Sequence, residues 1–160
     1  MKIIIRIVLI VMILLTSMVI FGFSNQNAEE SSGISMRITK FITSRIESIR
    51  EKEQSEREII ENKIESVIRK IAHYTIYTFL GFLIMSFVST YKLKELDRIS
   101  ISLISGVVYA TTDEIHQIFI LGRSGQITDV MLDSLGVLTG IFVSLFIIEL
   151  IKKIRLEVRE

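Results

Sequence analysis

The chain alternates coarsely between apolar stretches and stretches crowded with charge. Four stretches, residues 3–23, 72–91, 99–121 and 130–151, are nearly free of charge. The first carries only Arg6, and between His73 and Lys92 the second has no acid or base. The third is clean from Ile99 to Thr112 and then meets Asp113, Glu114, His116 and Gln117, while the fourth is interrupted only by Asp133 and Glu149. At about 1.5 Å per residue in a helix, such lengths cross a hydrocarbon core of about 30 Å. None contains proline or shows the period-two alternation of a β-barrel strand. The pattern predicts an all-α integral membrane protein, a four-transmembrane-helix bundle.

Residues 1–23 are read as an uncleaved first span. Lys2 and Arg6 would suit a signal peptide, but the apolar run is long for one and no A-x-A site follows. Residues 24–71 form a charged connection that still shows helical periodicity. Ile34, Ile38, Phe41, Ile42, Ile46 and Ile49 recur at helical spacing, as do Ile60, Ile64, Val67, Ile68 and Ile71. Glu53 with Arg57, and Glu65 with Arg69, stand at i,i+4 in the supportive order. This segment is expected to form one or two amphipathic helices, lying on the outer leaflet or against the bundle, with the charge run as a solvated face. A three-helix membrane core over residues 72–151 and a basic tail over 152–160 complete the division.

The distribution of Lys and Arg orients the bundle. Lys2 and Arg6, then Lys92, Lys94 and Arg98, then Lys152, Lys153, Arg155 and Arg159 fall on one side if both termini are cytoplasmic. The turn after the third span then faces out with Arg123. So does the 24–71 segment, an extracytoplasmic insertion with nine bases against nine acids, near the length at which the rule loses force.

Composition adds exclusions. At 160 residues the chain has the length of one domain, and 49% apolar with 23% charged residues excludes disorder. A net charge of +1 gives no global field for nucleic acid. The absence of cysteine excludes disulfides, thiolate zinc and a cysteine nucleophile. Neither a phosphate-binding glycine loop nor a nucleophile elbow occurs, and no cofactor is expected.

The informative residues are ionisable groups at membrane depth. Asp113 lies 14 residues after Ile99, about 21 Å along a helix. Fifteen uncharged residues separate Asp133 from Glu149. A carboxylate at the bilayer centre costs roughly 2.5–3.5 kcal/mol, so such groups face the bundle interior and find partners. Spacing supports one shared interior site. Lys70, His73 and Tyr77 stand at i, i+3, i+7; Asp113, His116 and Gln117 at i, i+3, i+4; Asp129, Asp133, Gly136 and Gly140 at i, i+4, i+7, i+11. With Glu114 and Arg123 they gather at the outer end of three helices. Each has a plainer alternative. Gly136 and Gly140 form G-x-x-x-G, the spacing of close helix packing or of a homodimer contact. His73 fits an interfacial residue bonded to a carbonyl as well as a functional group, and Arg123 can form an ion pair with Asp129 or Asp113. Asp113 and Glu114 are adjacent, so on a helix they point about 100° apart and make no ready dyad. The two histidines and the carboxylates lack the spacing of a metal site.

These residues resemble a known pattern. Phe23-Ser24-Asn25-Gln26, Lys70-Ile71-Ala72-His73-Tyr74 with Tyr77, Asp113-Glu114-Ile115-His116-Gln117-Ile118-Phe119, Gly122-Arg123-Ser124-Gly125, Asp129, and Gly136 with Gly140 are similar to the VanZ family of bacterial integral membrane proteins, named for a teicoplanin-resistance gene. The likeness covers about residues 23–151. Leu121 stands where members often have proline, Asp133 where many have an amide, and the charged 24–71 segment has the character of an insertion. The resemblance implies a plasma-membrane protein with a cell-envelope role, including lowered susceptibility to glycopeptide antibiotics, and implies no reaction.

Three readings of the site follow. In the first, a non-enzymatic membrane protein uses Lys70 and Arg123, oriented by Asp113, His116 and Asp129, to hold an anionic head group of a lipid-linked wall component or an amphiphilic glycopeptide. In the second, an intramembrane enzyme acts on a lipid-linked substrate, with His73 or His116 as general base, Asp113 or another carboxylate fixing its tautomer, and Arg123 stabilising a developing anion. A small proton-coupled transporter is the third. A working histidine would make activity vary between about pH 5 and 8.

Overall fold

In a computed structural model, residues 2–26, 28–123 and 125–157 are described, with the backbone alone for residues 28–32. Ser124 of the Gly-Arg-Ser-Gly run and Arg159 of the basic tail lie outside them. Among the described residues six helices follow in order: α1 Lys2–Ser24, α2 Ala28–Thr43, α3 Glu47–Arg50, α4 Gln54–Val88, α5 Glu95–Ile118 and α6 Ile127–Glu157. There is no strand among the described residues.

Among the described residues three helices, α1, α4 and α6, are long and apolar enough to cross a membrane. The fourth expected span, α5, does not reach that standard by composition. Ser100, Ser102, Ser105, Thr111, Thr112, Asp113 and Glu114 dilute its apolar character. Its polarity is turned inward, however: Ser102, Asp113, Glu114 and Gln117 are buried, while Ile101, Ile104, Val108 and Ile115 are exposed.

The core is the seam between α4 and α6, flanked by α5 and α1. Val137 is fully buried between Gly81 of α4 and Gly106 of α5. A Cβ at Gly140 would collide with the Thr78 carbonyl oxygen and stand 2.6 Å from the Phe82 nitrogen, and one at Gly136 would stand 2.7 Å from the Tyr74 carbonyl oxygen. The G-x-x-x-G face is thus taken by α4 of the same chain, whose backbone approaches as closely as small residues allow. Tyr74 with Thr139 at 2.7 Å and Ser86 with Ser144 at 3.0 Å add hydroxyl pairs along the seam. α1 runs antiparallel to α4. Near its start Arg6 donates to the Thr90 hydroxyl and carbonyl at 2.9 and 3.0 Å and lies 3.9 Å over the Tyr91 ring. Its far end, at Ser24, meets α5.

α4 begins at Gln54, well before the apolar stretch, and runs unbroken through it. At 35 residues it is about 52 Å long, beyond the span of the hydrocarbon core. α2 packs against its first half, so the charged segment forms a helical hairpin on the bundle. The buried side of α2 is its polar one. Ser35, Thr39 and Thr43 are buried, whereas Ile34, Ile38, Phe41 and Ile42 are exposed. Ser35 donates to Glu65 at 2.6 Å and Thr43 to Glu61 at 2.9 Å. Of the two expected i,i+4 pairs, Glu65–Arg69 is present at 3.9 Å. Arg57, however, pairs with Glu61 at 3.1 Å and not with Glu53, which precedes the helix as its N-cap.

Candidate functional site

One end of the bundle holds the polar residues. α1, α5 and the turn before α6 bring their ends together beside residues 69–77 of α4. α6 starts with Asp129 in its first turn, where a carboxylate suits the positive end of the helix dipole. Gly122, at φ 77°, allows the reversal between α5 and α6 that Cβ-bearing residues resist.

A pocket of about 120 Å³ opens there, lined by Arg69, Lys70 and His73 of α4, Glu114 and Gln117 of α5, Gly122, Arg123 and Gln126 of the turn, and Asp129, Leu132 and Asp133 of α6. Lys70 donates to Asp129 at 2.7 Å. His73 Nδ1 lies 3.6 Å from the Asp133 carboxylate, which is 1% exposed. Glu114 accepts the Gln126 backbone N–H at 2.7 Å. Gln117 donates to Asp113 at 3.3 Å. Arg123 donates to the Ser24 carbonyl at 3.2 Å. Burial first, and the nearby Arg69 guanidinium second, lower the pKa of Arg123.

Seven of the ten residues singled out from sequence therefore line one pocket: Lys70, His73, Glu114, Gln117, Arg123, Asp129 and Asp133. Three do not. Asp113 lies behind the pocket wall, where it accepts the Ser24 hydroxyl at 2.7 Å. Tyr77 is fully buried under the pocket, its hydroxyl without a hydrogen-bond partner among the described residues. His116 turns toward α1 and stacks on Phe21 at 4.7 Å. Asp113 and Glu114 diverge as their adjacency predicts, one toward α1 and one toward the turn. Asp129, one of the two carboxylates open to Arg123, is held by Lys70.

Sequence reasoning missed Ser24, Arg69 and Gln126 as parts of the site. Ser24 was visible within the Phe-Ser-Asn-Gln run, and Arg69 as the base next to Lys70. Gln126 works through its backbone N–H, for which side-chain identity gives no signal. Among the described residues no three of His, Asp and Glu are placed to hold a metal ion. The chemistry on offer is recognition of an anion by guanidinium and ammonium groups beside a histidine–aspartate pair.

The VanZ/LLP1 family model matches residues 7–149. The chain belongs to the VanZ/LLP1 family. Its apolar helices and this membership make it a VanZ-like membrane protein. The VanZ/LLP1 match spans all the pocket residues and most of α1, as well as the hairpin of α2 and α4. No curated protein and no solved structure matches the chain.

Proposed function

We propose that this VanZ-like protein crosses the bacterial plasma membrane four times with both termini cytoplasmic, and that its outer pocket binds the anionic group of an envelope component. By occupying or shielding that component it lowers susceptibility to glycopeptides such as teicoplanin. The carrying observation is the convergence of Arg69, Lys70 and Arg123 on one pocket from α4 and the turn before α6. Four crossings are supported by the inward turn of the α5 polar groups, which leaves an apolar side for lipid. Placing Arg6 beside Thr90 and Tyr91 sets it at the end where Lys92 and Lys94 follow, in keeping with a cytoplasmic positive end. The test is glycopeptide susceptibility of a sensitive Gram-positive host expressing wild type, Asp113→Asn or Arg123→Ala at matched levels. Tolerance should rise with wild type and fall back with both variants. Wild-type protein in the membrane with no change in tolerance would refute the resistance role.

The His73–Asp133 pair favours a second reading, an intramembrane enzyme on a lipid-linked substrate. Asp133 would fix the imidazole tautomer, as a carboxylate does for a general base. In this reading, purified protein converts lipid-linked precursors or phospholipids; unchanged mass spectra of both would sink it.

A further inference from the structure

A second cavity, of about 190 Å³, lies on the other side of Arg69 and His73. These two side chains line both spaces. The second space is apolar: Ile20 and Phe23 of α1, Ile34 and Ile38 of α2, and Ile68 and Ile76 of α4 form most of its wall. Its volume exceeds the roughly 150 Å³ of a buried apolar cavity that accepts benzene. The polar pocket, by contrast, has room for about four waters at about 30 Å³ each, so a phosphate ester fits and a larger head group would project beyond it.

The charges of the polar pocket are arranged for an anion at the shared wall. Asp129 and Glu114 each already have a donor within the chain, Lys70 and the Gln126 N–H, while Asp133 faces His73 Nδ1 at 3.6 Å with one carboxylate oxygen unbonded among the described residues. Arg69 reaches its own helix partner Glu65 only at 3.9 Å. Arg69 and Arg123 line the same pocket, and, after burial, the Arg69 charge helps lower the pKa of Arg123. Two guanidiniums held near each other repel, and a phosphate between them turns that repulsion into paired charge-assisted bonds. The end of α1 serves both spaces, since Ser24 bonds Arg123 and Asp113 while Phe23 and Gln26 line the apolar groove.

We propose that pocket and groove are the two halves of one site for an anionic phospholipid, its phosphate between Arg69 and Arg123 and one acyl chain in the groove under α2. This rests on the anion-binding reading of the pocket and adds what the anion is attached to. It also gives the α2 hairpin a task, because Ile34, Ser35 and Ile38 supply one wall of the groove.

Native mass spectrometry of the full chain in neutral detergent tests this with palmitoyl-lysophosphatidylglycerol, palmitoyl-lysophosphatidylcholine and glycerol phosphate. The site requires palmitoyl-lysophosphatidylglycerol to bind at least about tenfold tighter than either of the others. Ile38→Trp, which fills the groove, should weaken it by about tenfold. Arg69→Gln should bring it down to the level of palmitoyl-lysophosphatidylcholine, and thermal unfolding of each variant verifies that it is folded. Glycerol phosphate binding as tightly as the lipid would overturn the two-part site while leaving the anion pocket standing. Equal binding of the two lipids would remove the anion pocket as well. No binding of any probe to the folded protein would reject both.

Discussion

The two halves of α4 are held by opposite means. Its second half meets α6 backbone to backbone, through Gly81, Gly136 and Gly140, with Val137 pressed into the gap. Its first half meets α2 through hydroxyls and carboxylates, with Ser35 on Glu65 and Thr43 on Glu61, while Phe41 and Ile42 of α2 face out and Ile34 and Ile38 edge the apolar groove. The difference teaches how the surroundings set the rule. Between helices in lipid there is little hydrophobic driving force, so contact comes from shape and close approach. The hairpin instead buries its polar groups and exposes Ile34, Ile38, Phe41 and Ile42 alongside Arg37 and Lys40, the composition of a helix lying at a membrane interface. A helix in water would do the reverse.

The largest effect should come from breaking the close seam. Gly140→Leu places a side chain where the Thr78 carbonyl and the Phe82 nitrogen of α4 already stand. Backbone cannot rotate away as a flexible side chain can, so α4 and α6 must separate. The cost should be about 3 kcal/mol or more, at the upper end for overpacking. Gly140→Leu should lose its monodisperse peak in size-exclusion chromatography, and an unchanged melting temperature would contradict the seam.

Breaking the polar seam should cost less and act locally. Glu65→Ala removes the carboxylate that accepts from the buried Ser35 hydroxyl and pairs with Arg69, a loss of about 1.5–3 kcal/mol for a hydrogen bond to a charged group. Hydrogen exchange should speed up in α2 while the second half of α4 stays protected. Pairing Glu65→Leu with Ser35→Ala removes both polar partners and should recover much of the loss. Equal deprotection along all of α4 would mean that its halves are not separate in this way.

Much of this was legible in the sequence, and the errors have physical causes. α1 could be read directly because residues 3–23 hold a single charge. The end of the charges near Ala72 predicts a span that begins there, yet a helix ignores a change in polarity along its axis, and α4 begins at Gln54. The periodicity of α2 was visible, but which face is buried depends on the solvent, which periodicity does not report. At the site, Asp113, His116 and Gln117 looked like one face. At about 100° per residue, however, i+3 and i+4 fall on opposite sides of i. That difference hands His116 to Phe21 and leaves Gln117 in the pocket. Sequence spacing gives Arg69 only a helix partner in Glu65, and the tertiary structure shows it as the wall shared by two cavities.

The smallest effect on stability should come from the rim of the pocket, and it separates folding from function. Lys70 and Asp129 meet at 2.7 Å with side chains 41% and 31% exposed. Water competes for both groups, and such pairs contribute only about 0.2–1 kcal/mol. Asp129→Asn should therefore unfold within about 1 kcal/mol of wild type, unlike the substitutions at either seam of α4. Its effect should lie in binding. With Asp129 neutral, Lys70 is released toward the pocket, adding a third cation near Arg69 and Arg123. Anionic lipid should then bind more tightly than to wild type, and more so at low salt, where exposed charges are least screened. Weaker binding by a variant of native stability would mean that Asp129 contacts the ligand and does more than restrain Lys70.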